Sequence, residues 1–194
     1  MNIRKPRHRI PGPIPTGDSG LHWRWTSRYH EWLQFILFAG CYALLNYGYF
    51  KIPVDLFMNV IYHHGVVAVC ADLINWVAPA EQVLAQHNHV LSAKADLEIV
   101  RGCDGAGVLF LMVSAIVVFP STGYRKLVGL VLGVGLIYGL NLLRVSGLYF
   151  VVAYHNDWFL LIHTYLAPTL MVLAGCCYFA WWAFGAANKA HESA

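Results

Sequence analysis

An all-α, polytopic membrane helix bundle is the fold class this sequence predicts, and three observations predict it. Of 194 residues, 58% are hydrophobic and only 12% charged, outside the usual mix of a soluble domain. Apolar runs of membrane-spanning length recur, separated by short polar or proline-containing turns. The net charge of +3 comes largely from the two ends and one turn, a pattern of membrane topology rather than of a nucleic-acid surface. The expectation is one membrane domain over 32–185 with four firm spans, about 32–50, 104–119, 127–154 and 158–184. An amphipathic or re-entrant helix pair over 54–78 accompanies them.

Residues 1–31 carry Arg4, Lys5, Arg7, Arg24 and Arg28 with Pro6, Pro11, Pro13 and Pro15, and read as a basic cytoplasmic tail without a helix of its own. The first apolar run begins only near Trp32, too late for a signal peptide, so the tail is expected to stay attached. Trp32 to Phe50 is nineteen residues without a charge, flanked by aromatics suited to both membrane interfaces. After Pro53, the stretch 54–78 is long enough to cross but contains Asp55, Asn59, His63, His64, Asp72 and Asn75. Asp55, Asn59 and His63 recur every four residues and share a face. That pattern predicts an interfacial or re-entrant helix pair bent near Gly65, with a full crossing as the alternative.

Residues 80–102 are polar and read as an exposed extracytoplasmic loop or short cap. The next apolar helix is closed by Pro120, Ser121, Thr122 and Gly123, directly before Arg125 and Lys126. Leu127 to Tyr154 follows, with Gly129, Gly133, Gly135 and Gly139 as two interleaved small-x-x-x-small pairs that let a neighbouring helix approach. His155, Asn156 and Asp157 form a hinge before the last span. Residues 186–194 form a second cytoplasmic tail. If the basic N-terminus and the Arg125-Lys126 turn lie on the same, cytoplasmic side, an even number of crossings separates them, and the loop before residue 104 lies outside.

Of five cysteines, Cys41, Cys70, Cys176 and Cys177 fall within apolar runs, where a thiol packs as a small hydrophobe. Cys103 alone stands at a boundary, in E-I-V-R-G-C-D-G-A-G. Preceded by Gly102 and opening a helix, it is placed where unpaired backbone N–H groups and the positive helix end favour a thiolate. At about 1.5 Å rise per residue, antiparallel order brings Cys103, Arg144 and His163 to one depth near one membrane surface. Arg144 within an apolar helix is costly unless it faces a bundle interior, and its guanidinium can hold a thiolate or a developing oxyanion. Asn141, three residues earlier on the same face, can orient it. His163 suits proton transfer, with His155 in the hinge as a rival. Arg144 can instead snorkel or pair with Asp157, and His163 can instead bond a neighbouring helix. The His63-His64 and His87, His89 pairs have no carboxylate or thiol at a matching spacing, so no metal and no cofactor is expected.

R-G-C-D-G at the start of a membrane helix, N-L-L-R near the end of the next and a histidine shortly into the one after resemble the exosortase and archaeosortase family over roughly residues 95–175. The resemblance implies a bacterial inner-membrane cysteine protease or transpeptidase with its active site on the extracytoplasmic face. Its substrates would be exported proteins bearing a PEP-CTERM-type signal: a short motif, a membrane helix and a basic cluster. Cys103 would form the thioester, Arg144 would stabilise the oxyanion and His163 would move the proton. Partners would be those substrates and membrane lipids, not nucleic acid. Two features depart from the family: Asp104 stands where serine or alanine is commoner, and the chain is short. Two other classes compete: a haem- or quinone-binding electron carrier using histidines on facing helices, and a non-catalytic scaffold for surface export.

Overall fold

The structure, a computed structural model, describes residues 19–102 and 104–192. Cys103 and the first part of the basic tail lie outside the described residues. The fold is predominantly helical. Helix α1 is Ser19–Lys51. Helix α2 covers 54–77, starting as Val54–Leu56, widening to a π-helix over Phe57–Val67 and ending as Ala68–Val77. A small sheet follows, of β1 (Leu84–Gln86), β2 (His89–Leu91) and β3 (Asp96–Glu98). Helix α3 is Ala106–Val118, α4 is Gly123–Tyr154, and α5 covers 159–192 with a π-helical stretch at Ile162–Leu166.

Helix α3 is the hub, packing against α1, α4 and α5, while α4 also packs against α5 and against α2. Among the described residues three runs are long and apolar enough to cross a membrane: Glu31–Lys51, Gly123–Tyr154 and Asn156–Gly185. Helix α3 is apolar but has 13 residues. At ~1.5 Å per residue it is roughly 20 Å long, short of a ~30 Å hydrocarbon core. Three helices rather than four therefore have full spanning length.

Several local expectations need correcting. The lead-in is helical from Ser19, because its last proline is Pro15 and no breaker lies between Leu21 and Trp32. Residues 54–77 form one continuous run rather than a pair bent at Gly65. The turn there widens instead of breaking, and the Tyr138 hydroxyl of α4 donates to the Gly65 carbonyl at 2.5 Å. The π stretch in α5 precedes Pro168, whose missing N–H and ring bulk disturb the regular ladder one turn back.

The polar stretch 80–102 is not a plain loop but holds the antiparallel sheet, in the order β1-β2-β3. Ala95, Leu97 and Ile99 are buried while Asp96, Glu98 and Val100 are exposed, the period-two pattern of a strand with one face on a core. A two-residue turn at His87 and Asn88 joins β1 to β2, with His87 at φ +53°. Asn75 anchors the sheet's entry by exchanging two 2.8 Å hydrogen bonds with the Val83 backbone.

Glu81 seats the sheet on the end of α4. Its buried carboxylate receives Lys94 Nζ at 2.8 Å, the Tyr149 hydroxyl at 2.9 Å and the Tyr154 hydroxyl. The Tyr149 oxygen also lies 2.7 Å from Ser92 Oγ. The Lys94 ammonium and the Tyr154 hydroxyl hold the Glu81 carboxyl down at about 2, from an ordinary 4.5. Because this folded-state value is depressed, the stabilisation is complete above the ordinary value and disappears as the pH falls through the shifted one. Hydrogen exchange of 84–98, corrected for intrinsic rates, is expected to stay slow from neutral pH to about 5 and to quicken steeply below about 4. Glu81→Gln should weaken protection throughout and abolish the steep acid limb.

The four glycines of the small-x-x-x-small pairs in α4 divide into two kinds. A Cβ on Gly129 would lie 2.4 Å from Trp182 Nε1, and one on Gly133 would lie 2.7 Å from Met112 Cε and 2.8 Å from Tyr178 Cε1. Gly135 and Gly139 face open space. Tyr178 completes the contact by donating to the Gly129 carbonyl at 2.6 Å. Gly133→Val should therefore lower stability in detergent by about 1–3 kcal/mol through overpacking. Gly139→Ala should be neutral or raise stability by up to ~1 kcal/mol.

Candidate active site

The segment joining β3 to α3 turns through two glycines in the left-handed region, Gly102 at φ +97° and Gly105 at φ +76°. At Gly105 close packing adds a second constraint, since a Cβ would sit 3.0 Å from Met171 Cε and 3.1 Å from Asn141 Oδ1. Between them, Asp104 accepts a 2.5 Å hydrogen bond from the Tyr49 hydroxyl on one oxygen and a 3.3 Å bond from the Ala106 N–H on the other. The Tyr49 oxygen lies 3.4 Å from that of Tyr62. Arg101 donates to the Ile52 carbonyl at 3.1 Å, with its guanidinium 4.3 Å from the Phe57 ring centre and 5.3 Å from that of Tyr49. Position 103 is thus bracketed by two residues, Arg101 and Asp104, that fasten the loop to the α1–α2 junction.

This geometry corrects the basis on which a helix terminus was assigned to Cys103. Helix α3 begins at Ala106, three residues on, and its first N–H is taken by Asp104. It also accounts for an aspartate beside the cysteine. Asp104 closes the turn and receives Tyr49, whereas serine or alanine could not do both with a carboxylate's reach.

Arg144 and Asn141 lie on α4, Asn141 buried and Arg144 half-buried. Across the groove, half-buried His163 sits in the π stretch of α5, its ring stacked on Phe159 at 5.0 Å and 13°. Arg144 is near enough for its charge to act on the His163 imidazole. The structure sets Asn141 against the Gly105 turn and places His163 in the wall of a cavity that residues 97–100 also line. His155 is exposed at the end of α4, away from this cluster, and Asp157 is exposed in the following turn.

Two cavities flank the loop. One, about 320 Å³, is lined by Tyr49, Tyr62, Asp104, Tyr138 and Asn141 among others. Asn141 Oδ1 is buried without a hydrogen-bond partner among the described residues. The other, about 210 Å³, lies between residues 97–100 and a wall of Val145, Leu148, Phe159 and His163. Two further histidines are engaged locally: His63 Nδ1 is 3.0 Å from the His87 carbonyl oxygen, and His89 Nδ1 is 2.7 Å from Asp96 Oδ1. Among the described residues no three His, Cys, Asp or Glu side chains converge as metal ligands would.

A cation beside an imidazole, at the foot of a pinned loop and next to an apolar cavity, can stabilise a developing oxyanion and exchange a proton with a departing group. Comparison with protein-family models, curated proteins and solved structures finds no match. Sequence reasoning missed Tyr49, Tyr62 and Arg101 as supports of the loop. A tyrosine at the end of a span and an arginine two residues before the cysteine were the available signals.

Asp104→Ala leaves the Tyr49 hydroxyl and the Ala106 N–H without their acceptor, and should lower stability by about 1–3 kcal/mol. Combined with Tyr49→Phe, the loss should fall short of the sum of the single losses by ~0.5 kcal/mol or more in a double-mutant cycle of unfolding midpoints.

Proposed function

We propose that the protein is a membrane cysteine peptidase or transpeptidase, exosortase-like, that cleaves C-terminal sorting signals of exported proteins at the outer face of a bacterial inner membrane. The observation that carries this reading is geometric: Asn141, one turn before Arg144, lies against the Gly105 turn, and His163 lines one cavity with residues 97–100, on the chain leading into Cys103. Asn141, which touches the Gly105 turn, and Arg144 are one helical turn apart, a rise of ~4.5 Å. Cys103 stands two residues before Gly105 in the sequence. Short α3 supports the same picture. With the 120–123 turn at the cytoplasmic surface, a helix of roughly 20 Å leaves its far end below the opposite surface, under the sheet layer.

In this mechanism the Cys103 thiolate attacks the carbonyl carbon of the scissile peptide bond, and the oxyanion forms beside the Arg144 guanidinium. The C–N bond breaks as the thioester remains, and the leaving amine takes its proton from His163. Water or an acceptor amine then gives a proton to His163, attacks the thioester and releases the thiolate, which restores the starting pair of thiolate and protonated His163. In this reading α1 and the short α3 both cross, so the basic N-terminal segment and the Arg125-Lys126 turn lie together in the cytoplasm, and α4 and α5 complete four crossings.

The test is co-expression with an exported protein carrying a C-terminal motif, membrane helix, basic cluster and terminal tag. Wild-type protein should remove the tag. Cys103→Ala and His163→Ala should abolish removal, and Arg144→Ala should slow it by a factor of roughly 10² or more. His155→Ala should process normally. Undiminished processing by Cys103→Ala contradicts the proposal.

A further inference from the structure

The 210 Å³ cavity beside His163 has an unusual floor, the outer edge of β3 and its continuation to Val100. In the sheet β3 pairs only with β2, so its other edge has no strand partner among the described residues. Parity identifies which backbone groups point there. The Ile99 N–H donates to the Asn88 carbonyl and the Ser92 N–H to that of Ala95, so alternate residues Ala95, Leu97 and Ile99 direct their backbone groups toward β2. The N–H and C=O groups of Glu98 and Val100 therefore face the cavity side.

Edge strands are usually blunted by charged side chains that stand over the open edge. Here both charges are drawn back across the sheet. Asp96 is held by His89 of β2 at 2.7 Å, and Glu98 accepts from Asn88 Nδ2 at 3.2 Å. The edge is left open, and facing it across the cavity are apolar Val145, Leu148 and Phe159, ending at His163. The strand itself runs within five residues into Cys103.

Resting on the peptidase reading above, we propose that this edge is the substrate cleft. The segment of the exported protein preceding its membrane helix adds as a fourth, extended strand. Its backbone pairs with Glu98 and Val100, and one of its side chains enters the pocket of Val145, Leu148 and Phe159. Only an extended polypeptide presents donors and acceptors at the spacing of alternate strand residues, and strand addition of this kind supplies affinity through the main chain and selectivity through the pocket. It also delivers the bond beyond the last paired residue toward His163. The cleft selects for an unfolded, apolar-containing stretch rather than a folded surface.

The experiment uses the full chain carrying Cys103→Ala to halt turnover, with a photo-crosslinking phenylalanine analogue at position 100 or, on the opposite edge strand, at position 84. The probe is the tagged exported protein described above. Capture is expected from position 100 and not from position 84. In the otherwise unaltered chain, Val100→Pro, which removes one outward N–H and leaves the β2 ladder intact, should reduce tag removal roughly tenfold. Equal capture from both positions, capture of a second copy of this chain at position 100, or undiminished processing by Val100→Pro overturns the cleft. Processing that survives Cys103→Ala while position 100 still captures substrate overturns the thiol mechanism and leaves the cleft standing.

Discussion

The bond from Tyr49 to Asp104 is the contact on which the arrangement of this bundle depends. Helix α3 is the hub of the fold, and its start is fixed by that bond on the α1 side and by Gly105 against Asn141 and Met171 on the α4 and α5 sides. Both sets of contacts are short range and directional, so the loop before α3 has little freedom to slide. A loop that must present a reactive side chain at one depth needs this kind of over-determination, because errors of an ångström are costly to reactivity.

A second constraint comes from above. The sheet is joined to α4 through Glu81, Lys94, Tyr149, Tyr154 and Ser92, a fully partnered polar cluster at the end of the helix that carries Arg144. Such clusters hold position through geometry rather than through net energy, since each ionic contact must first overcome the loss of water. The result is a sheet packed against α2 and α4, with residues 97–100 lining one cavity together with His163.

Much of this was legible in the residues. The three full-length apolar helices follow from long runs almost free of charge. The glycines of α4 announced close packing, though only contact geometry separates Gly129 and Gly133, which receive Trp182, Tyr178 and Met112, from Gly135 and Gly139, which receive nothing. The sheet was hidden because its strands are three residues long and sit in a stretch that is polar as a whole. Even so, the alternation of Ala95, Leu97 and Ile99 with Asp96, Glu98 and Val100 was there to be seen. The start of α3 was misplaced because an apolar run marks where a helix can exist, not where a left-handed glycine begins it. Asp104 looked anomalous for the same reason: its partner Tyr49 is 55 positions away in sequence.

The central claim is that the side chain at position 103 forms a covalent bond to substrate. Its most direct measurement is the intact mass of the otherwise unaltered protein from cells co-expressing the tagged substrate, acid-quenched so that the thioester is caught before water or an amine releases it. The account predicts a substrate-derived mass increase that maps to Cys103, is removed by hydroxylamine as a thioester would be, and is absent when Cys103→Ala is added. An adduct on another residue, or processed substrate accumulating with Cys103 replaced, would contradict it.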